Sequence, residues 1–352
     1  MKIGIFTPRA VEPMHPRLEA FTEYFKGKNI YYDLIPVQKH FIYSRLNWKS
    51  LYFFDNYSIL RIRNKIESYD LVLINDLKFL PLARYARKKN KPVIYETIDN
   101  NVYLRAYSLK KKIPFPESFM NRITSWYSRK EISLATDCCE KIIVNSKSLQ
   151  EYFGNKAELV YYYSPFEGSR IQNGIKKVPV LLYLGEFSEE KGADEILKLR
   201  VKLNIPLFIF GNIRSESLKS ATITNPSINY SDKLAHTELI NQIRGLSEKY
   251  FLLGASLIKP VHQSYAAQEA NKDIDYLSLG IPIIGNHRRP TEEKIISGCG
   301  VFTEDEHRLK KLLMDVDFRE VISDNCSKYY SRYYSKDNFT AALDKIFGDY
   351  VR

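Results

Sequence analysis

At 352 residues the chain is long for one hydrophobic core and suits two domains. A composition of 44% hydrophobic and 27% charged residues is ordinary for a soluble protein, and no apolar run approaches the length of a membrane span. Lys+Arg 53 against Asp+Glu 41 leaves a net charge of +12, which favours an anionic partner: a phosphorylated substrate, an acidic membrane surface or nucleic acid.

The basic residues are spread along the chain, and short runs such as Arg87-Lys88-Lys89 and Lys110-Lys111-Lys112 read as solvated surface. Nucleic-acid binding has no recognition motif to support it, and the charge is not stripe-like. Cys138, Cys139, Cys299 and Cys326 show neither C-x-x-C nor Cys/His spacing, so neither a disulfide framework nor a zinc site is expected. A reduced, cytoplasmic setting fits. The opening Met1-Lys2-Ile3-Gly4-Ile5-Phe6 is too short to read as a signal peptide.

Lys2 to Thr7 reads as a buried strand, followed by a loop holding His15 and Arg17 and a helix from about Leu18 to Lys26. Tyr31 to Pro36 is a second strand. The aromatic and basic stretch from Phe41 to Tyr57 suits either an exposed acceptor- or membrane-facing surface or buried packing. Asp70 to Asp76 is a strand ending in polar Asn75 and Asp76. A helix from Leu80 to Lys89 leads to the strand Pro92 to Tyr95, which ends at Glu96, Thr97 and Asp99. A long helix over Met120 to Thr136, the strand Lys141 to Ser146 and a strand through Leu159 to Tyr163 complete this half. Near-continuous apolar strands alternating with helices indicate a parallel sheet covered on both faces. Ligands of such sheets sit beyond the carboxyl ends of the strands, here at Asn75-Asp76 and Glu96 to Asn100.

Pro165 to Lys177, with Pro, Gly, Ser and Asn and little periodicity, reads as the interdomain linker. The alternation then restarts with the strand Val178 to Tyr183, the loop Gly185 to Gly192, the helix Ala193 to Lys202 and the strand Pro206 to Phe210. An edge strand near Ile228, a helix from His236 and a strand from Phe251 to Ile258 follow. Lys272 to Leu279 is then a helix stopped at Gly280, where a residue without Cβ takes the left-handed cap, and Pro282 opens a short apolar strand. Lys272 and Asp275 share one face near the positive end of that helix. A cation, a carboxylate and unpaired backbone N–H groups suit a phosphorylated, hydroxyl-rich ligand; the plain alternative is a capped amphipathic helix with one surface ion pair. Asp273-Ile274-Asp275 and Asp315-Val316-Asp317 spell D-x-D. Two carboxylates two apart in a helix diverge, so neither reads as a metal site. The alternation gives two α/β halves.

Leu184-Gly185-Glu186-Phe187-Ser188-Glu189-Glu190-Lys191-Gly192 is similar to the "G-R-L-x-x-E-K-G" loop of the retaining, nucleotide-sugar-dependent glycosyltransferases of family 4. Phe208 to Asn212, Lys272 to Ile284 ("K-x-x-E-Y-L-x-x-G-x-P-V-I"), Glu293 to Gly300 and Lys141 to Ser146 resemble further segments of that family, in the same order. The resemblance covers most of the chain. It implies the GT-B architecture, an α/β fold of two Rossmann-like domains facing each other across a cleft. Residues 1–168 would bind acceptor, 169–177 link the domains, 178–335 bind the donor, and 336–352 form a helix packing back on the first domain. Donor contacts would come from Gly185, Lys191, Gly211, Asn212, Gln268, Glu269, Lys272 and Asp275, with Lys191 on the diphosphate and Asp275 on the ribose hydroxyls. His15, Arg17, Asn75, Asp76, Glu96, Asp99 and Asn100 would meet the acceptor, and Lys191, Asp275, Glu269 and Asp99 would carry catalysis.

The implied reaction moves a sugar from a nucleotide-diphosphate sugar to a hydroxyl of a glycan acceptor, free or lipid-linked, with retention and without metal or other cofactor. Surface polysaccharide assembly at the inner face of an anionic membrane would be its setting. The sequence departs from the family at Glu186, where an arginine is usual, at Ala267, where the first acid of the E-x7-E pair belongs, and at Ile98, where a histidine is common. Gln268 and Glu269 are the nearest substitutes for that acid. The departures keep open a catalytically degenerate homologue acting as a glycan-binding or scaffolding protein.

Overall fold

The computed structural model of the protein describes residues 1–7, 16–36, 56–110, 116–260 and 263–350. His15 and most of the aromatic stretch from Phe41 to Tyr57 lie outside the described residues. The chain divides into two compact units, one of Met1–Tyr161, His262–Gln268 and Phe339–Arg352, the other of Tyr162–Val261 and Glu269–Asn338.

In the first unit β1 (Lys2–Thr7), α1 (Pro16–Gly27), β2 (Tyr31–Pro36), α2 (Asn56–Ile62), β3 (Leu71–Ile74), α3 (Leu82–Lys88) and β4 (Val93–Thr97) follow one another. Next come α4 (Asn101–Lys110), α5 (Glu117–Cys138), β5 (Lys141–Val144), α6 (Lys147–Phe153) and β6 (Ala157–Leu159). The strands form one parallel sheet in the order β2-β1-β3-β4-β5-β6. Strands covered on both faces run mainly apolar, as β3 does throughout, and β4 is buried at every position although it ends in Glu96 and Thr97. Gly4 is needed in β1 because a Cβ there would meet the Tyr69 ring at 2.5 Å.

The second unit repeats the plan with β7 (Val178–Leu184), α7 (Ala193–Leu203), β8 (Leu207–Phe210), α8 (Glu216–Ile223), β9 (Ile228–Ser231), α9 (His236–Ser247) and β10 (Tyr250–Ser256). The short α10 (Gln263–Ala267) clusters with the first unit. The chain then returns through α11 (Asn271–Leu279), β11 (Ile283–Gly285), α12 (Arg289–Lys294), β12 (Gly300–Phe302), α13 (Glu306–Met314), α14 (Val316–Tyr333) and α15 (Lys336–Phe347). This sheet is also parallel, in the order β12-β11-β10-β7-β8-β9. In each sheet the strand order reverses beside the first strand, between β1 and β3 and between β7 and β10. Such a switch point opens a crevice past the strand ends.

From Phe339 onward α15 belongs to the first unit. Phe339 meets Phe21 with ring centroids 5.9 Å apart, and Phe347 meets Phe25 edge-on at 5.1 Å. Asp344 accepts a hydrogen bond from the Tyr24 hydroxyl at 2.9 Å and pairs with Lys28 at 2.7 Å. All four cysteines are free thiols. Among the described residues no helix is long and apolar enough to cross a membrane.

Candidate functional site

In the second unit the chain leaves β7 through Gly185 at φ +105 and turns at Gly192 at φ +83, both left-handed conformations that favour glycine. A Cβ on Gly192 would fall 1.9 Å from the Leu257 carbonyl oxygen, so the turn lies directly against the segment after β10. Gly211, ending β8, has φ +146, and a Cβ there would meet the Gly185 carbonyl oxygen at 2.0 Å. Asn212 accepts the Phe187 N–H through its carbonyl at 2.9 Å, fixing the loop's path. Lys191 closes a short 3-10 turn in this loop, and its N–H donates to the Ser188 carbonyl at 3.0 Å. The Ser188 hydroxyl is buried and has no hydrogen-bond partner among the described residues.

The other wall is α11, and Gly280 caps it in the left-handed conformation expected from the sequence. Tyr276 ties α11 to β7, its hydroxyl accepting the Leu184 N–H at 3.1 Å and donating to the Leu182 carbonyl at 3.0 Å. Asp273 anchors the same helix from inside. Its fully buried carboxylate accepts from the Ser256 hydroxyl, from Thr291 Oγ1 at 2.7 Å and from the Arg288 guanidinium at 3.3 Å.

Lys272 and Asp275 do not pair with each other among the described residues. Lys272 Nζ donates to the Tyr183 hydroxyl at 2.8 Å, whereas Asp275 accepts from Ser164 Oγ at 2.7 Å. The surface ion pair contemplated for this helix is thus absent, because each side chain has a closer partner on another element. Burial pushes the Lys272 ammonium down to about 7 against the opposing charge of Asp273, and the positive charges of Lys191 and Arg288 push it the same way as burial. Burial raises the Asp275 carboxyl to about 7 against the Ser164 hydrogen bond. Lys191 and Lys272 therefore lie near enough past the ends of β7 and β10 for their charges to repel, while Arg288 beside them is paired with Asp273. Asp273 and Asp275 address different partners, as residues two apart in a helix must.

Arg288 was not singled out from the sequence. The available signal was its place in the polar run that follows the apolar strand β11, where strand-end ligands gather. Glu186, standing where the resemblance expects an arginine, pairs with Arg214 at 2.6 Å. Glu269 is buried against Lys294, another residue not anticipated, and burial raises its carboxyl despite that partner. Gln268, expected among the donor residues, clusters with the first unit. There its Nε2 donates to Asp99 Oδ1 at 2.6 Å, because the chain crosses between units just after it.

The expected acceptor residues that are described gather at the carboxyl ends of β1, β3 and β4 in the first unit. Thr7 Oγ1 donates to Asn75 Oδ1 at 3.1 Å, Asn75 Nδ2 donates to Glu96, and Arg17 pairs with Glu96 in full burial. Asp76 caps the turn after β3 by accepting the Lys78 N–H at 2.8 Å and pairs with Arg105 at 2.9 Å. Asn100 Oδ1 accepts the Tyr103 N–H at 3.3 Å at the start of α4. Behind this layer Glu131 of α5 accepts from the hydroxyls of Tyr95 at 3.0 Å and Tyr152 at 3.1 Å. Its burial lifts the carboxyl to about 7. The arrangement is a buried hydrogen-bonded plate with Asp99 and Asn100 at its edge. It can hold hydroxyl-binding groups in fixed orientation.

No protein-family model matches this sequence, and no curated protein matches it closely enough to count. Solved structures do match in fold. Anabaena Alr3699/HepE, solved with UDP and glucose, is 14% identical with a TM-score of 0.65, covering 99% of this chain and 100% of its own. A trehalose-6-phosphate synthase, from work on the mechanism of enzymatic glycosyltransfer with retention, is 11% identical with a TM-score of 0.64, covering 99% of each chain. AviGT4, a glycosyltransferase involved in avilamycin A biosynthesis, is 10% identical with a TM-score of 0.57, covering 100% of this chain and 98% of its own. With two parallel six-stranded α/β units and these neighbours, the chain has the GT-B fold.

Proposed function

We propose that the protein is a glycosyltransferase that takes a nucleotide-diphosphate sugar on its second unit. The sugar passes, with retention and without a metal ion, to a hydroxyl of a lipid-carried glycan during surface polysaccharide assembly. The observation that carries this reading is the pair Lys191 and Lys272 beside the Gly185 to Gly192 turn, at the switch point of a Rossmann-like sheet. Two lysines and a glycine-lined backbone suit a diphosphate, with Arg288 held behind them on Asp273, and the Ser188 hydroxyl offers an unspent donor in the same loop. The fold neighbours include HepE with UDP and glucose, which places a uridine donor first among those to test.

In this reading Lys191 and Lys272 stabilise charge on the departing diphosphate, whose oxygen takes the acceptor proton on the same face of the sugar. Asp275, held by Ser164, receives the ribose hydroxyls. The plate around Asp99, Asn100 and Asp76 orients the acceptor. The protein works in the cytoplasm and meets the anionic inner face of the membrane peripherally.

Thermal shifts against UDP, GDP, ADP, CMP and dTDP test the donor site. A nucleotide at ~100 times its dissociation constant adds about 2.7 kcal/mol to the folded state. The expected result is a shift with one nucleotide that Lys191→Ala removes; no shift with any of them sinks the assignment. A second reading, a glycan-binding homologue without turnover, is favoured by one observation: Glu269, the carboxylate nearest the missing acid, is committed to Lys294. Nucleotide binding without release of nucleotide from the matching sugar donor, across a panel of glycan acceptors, would select it.

A further inference from the structure

The helix α5 presents one face to the unit's interior and another to solvent, and the two differ sharply in chemistry. Met120, Thr124, Ser128, Glu131, Leu134 and Ala135 are buried and recur at the helical period. On the opposite side Phe119 is 46% exposed and Trp126 is 50% exposed. At 100° per residue, Phe119, Arg122, Trp126, Arg129 and Lys130 fall within about a third of the helix circumference. The stripe runs about 17 Å along the axis at 1.5 Å per residue. Lys130 Nζ lies 5.8 Å from the centre of the Trp126 ring, so one of the cations is held beside the exposed indole. Arg122 and Arg129 make no ion pair among the described residues.

Other large exposed apolar side chains, such as Tyr31, Val178 and Ile223, sit singly on their elements and need no explanation. Two aromatics with two unpaired arginines and a lysine beside the indole on one helical face are a different case. Trp126, an apolar ring with one polar N–H, suits the level of the lipid headgroups, Phe119 suits the apolar side of that boundary, and Arg and Lys stems reach from there to phosphate.

We propose that this face of α5 lies flat on an anionic lipid surface, with Phe119 and Trp126 inserted among the headgroups and Arg122, Arg129 and Lys130 on lipid phosphates. The surface deepens the reading of a peripheral protein and rests on that part of it alone, not on catalysis. Charge complementarity selects the partner: each basic residue near an anionic bilayer is worth roughly fivefold in binding. The aromatic pair supplies the apolar contact that a purely electrostatic polyanion partner would leave unused.

Full-length protein is sedimented with phosphatidylcholine vesicles and with vesicles containing phosphatidylglycerol. Wild type is expected to bind the anionic vesicles and to leave the neutral ones. Arg122→Gln with Arg129→Gln should weaken binding about 25-fold, from the two charges removed, and Phe119→Ser with Trp126→Ser by a similar factor. These positions are solvent-exposed, so unchanged thermal unfolding separates lost docking from lost fold. No vesicle binding by wild type overturns the membrane reading and this surface together while leaving the donor-site test intact. Binding that survives both double variants overturns the surface alone. Competition by an RNA homopolymer as potent as the anionic vesicles overturns the choice of lipid.

Discussion

Lys272 Nζ lies 2.8 Å from the Tyr183 hydroxyl oxygen and 4.0 Å from the centre of the same ring. A cation over a tyrosine face is stabilised by the ring quadrupole, yet burial holds Lys272 down to about 7 against the opposing charge of Asp273. The site holds its positive charge loosely until an anion enters.

A diphosphate bound there should raise the Lys272 pKa, so above pH 7 binding takes up a proton. Affinity should fall as pH rises from about 7 toward the value reached in the complex. Titration calorimetry in two buffers of different ionisation enthalpy reads the uptake directly. Lys272→Met should abolish the uptake and weaken binding; uptake that persists in this variant would move the titrating group elsewhere.

The glycines of the donor loop should separate strain from function. Gly185→Ala meets no atom within 4 Å, so its cost should be the left-handed backbone alone, about 1–2 kcal/mol. Gly192→Ala adds a clash with the Leu257 carbonyl and should lose more, roughly 3 kcal/mol or above. Melting temperatures rank the two, and the reverse order would contradict the described turn.

Asp273 anchors α11 through Arg288, Thr291 and Ser256 in full burial. Arg288→Met leaves a buried carboxylate with hydroxyl donors only, and loss of one partner of such a pair costs about 3–5 kcal/mol. Urea unfolding of the variant should show that loss together with weakened nucleotide binding. A stable variant with intact binding would show that neither the anchor nor the lysine pair needs Arg288.

Glu131 gives stability a pH dependence. Burial lifts its carboxyl from the ordinary 4.5 to about 7 in the fold, so the folded state binds more protons between those values. The associated stability is present below about 4.5 and fades as pH rises through about 7. Glu131→Gln removes this titration. The melting temperature of the variant relative to wild type should therefore rise across that window, and a flat difference would refute the shift.

The two-unit alternation was legible because parallel strands covered on both faces run mainly apolar, as at Leu71 to Ile74 and Val180 to Tyr183. The left-handed turn at Gly192 has a physical reason in the sequence, since few residue types tolerate that backbone, whereas the role given to Lys191 came from the family resemblance. Arg288 was not: β11 carries it back to α11 from a later segment, and in the sequence it is one of two adjacent arginines. Glu131 stands in the sequence of a long helix with nothing beside it to mark burial; its partners Tyr95 and Tyr152 come from other elements. The exposed stripe of α5 was hidden for the opposite reason. Phe119 and Trp126 have the composition of a core, and only the sheet's position decides which side of the helix is covered.

The first unit is opened by Lys2 and finished by Phe347. A ribosome making this chain completes the second unit's sheet before the last helix exists. Through that interval Phe21 and Phe25 stand without Phe339 and Phe347, which cover them in the finished fold. The unit made first therefore matures last, and for much of its synthesis its aromatic surface is available to chaperones.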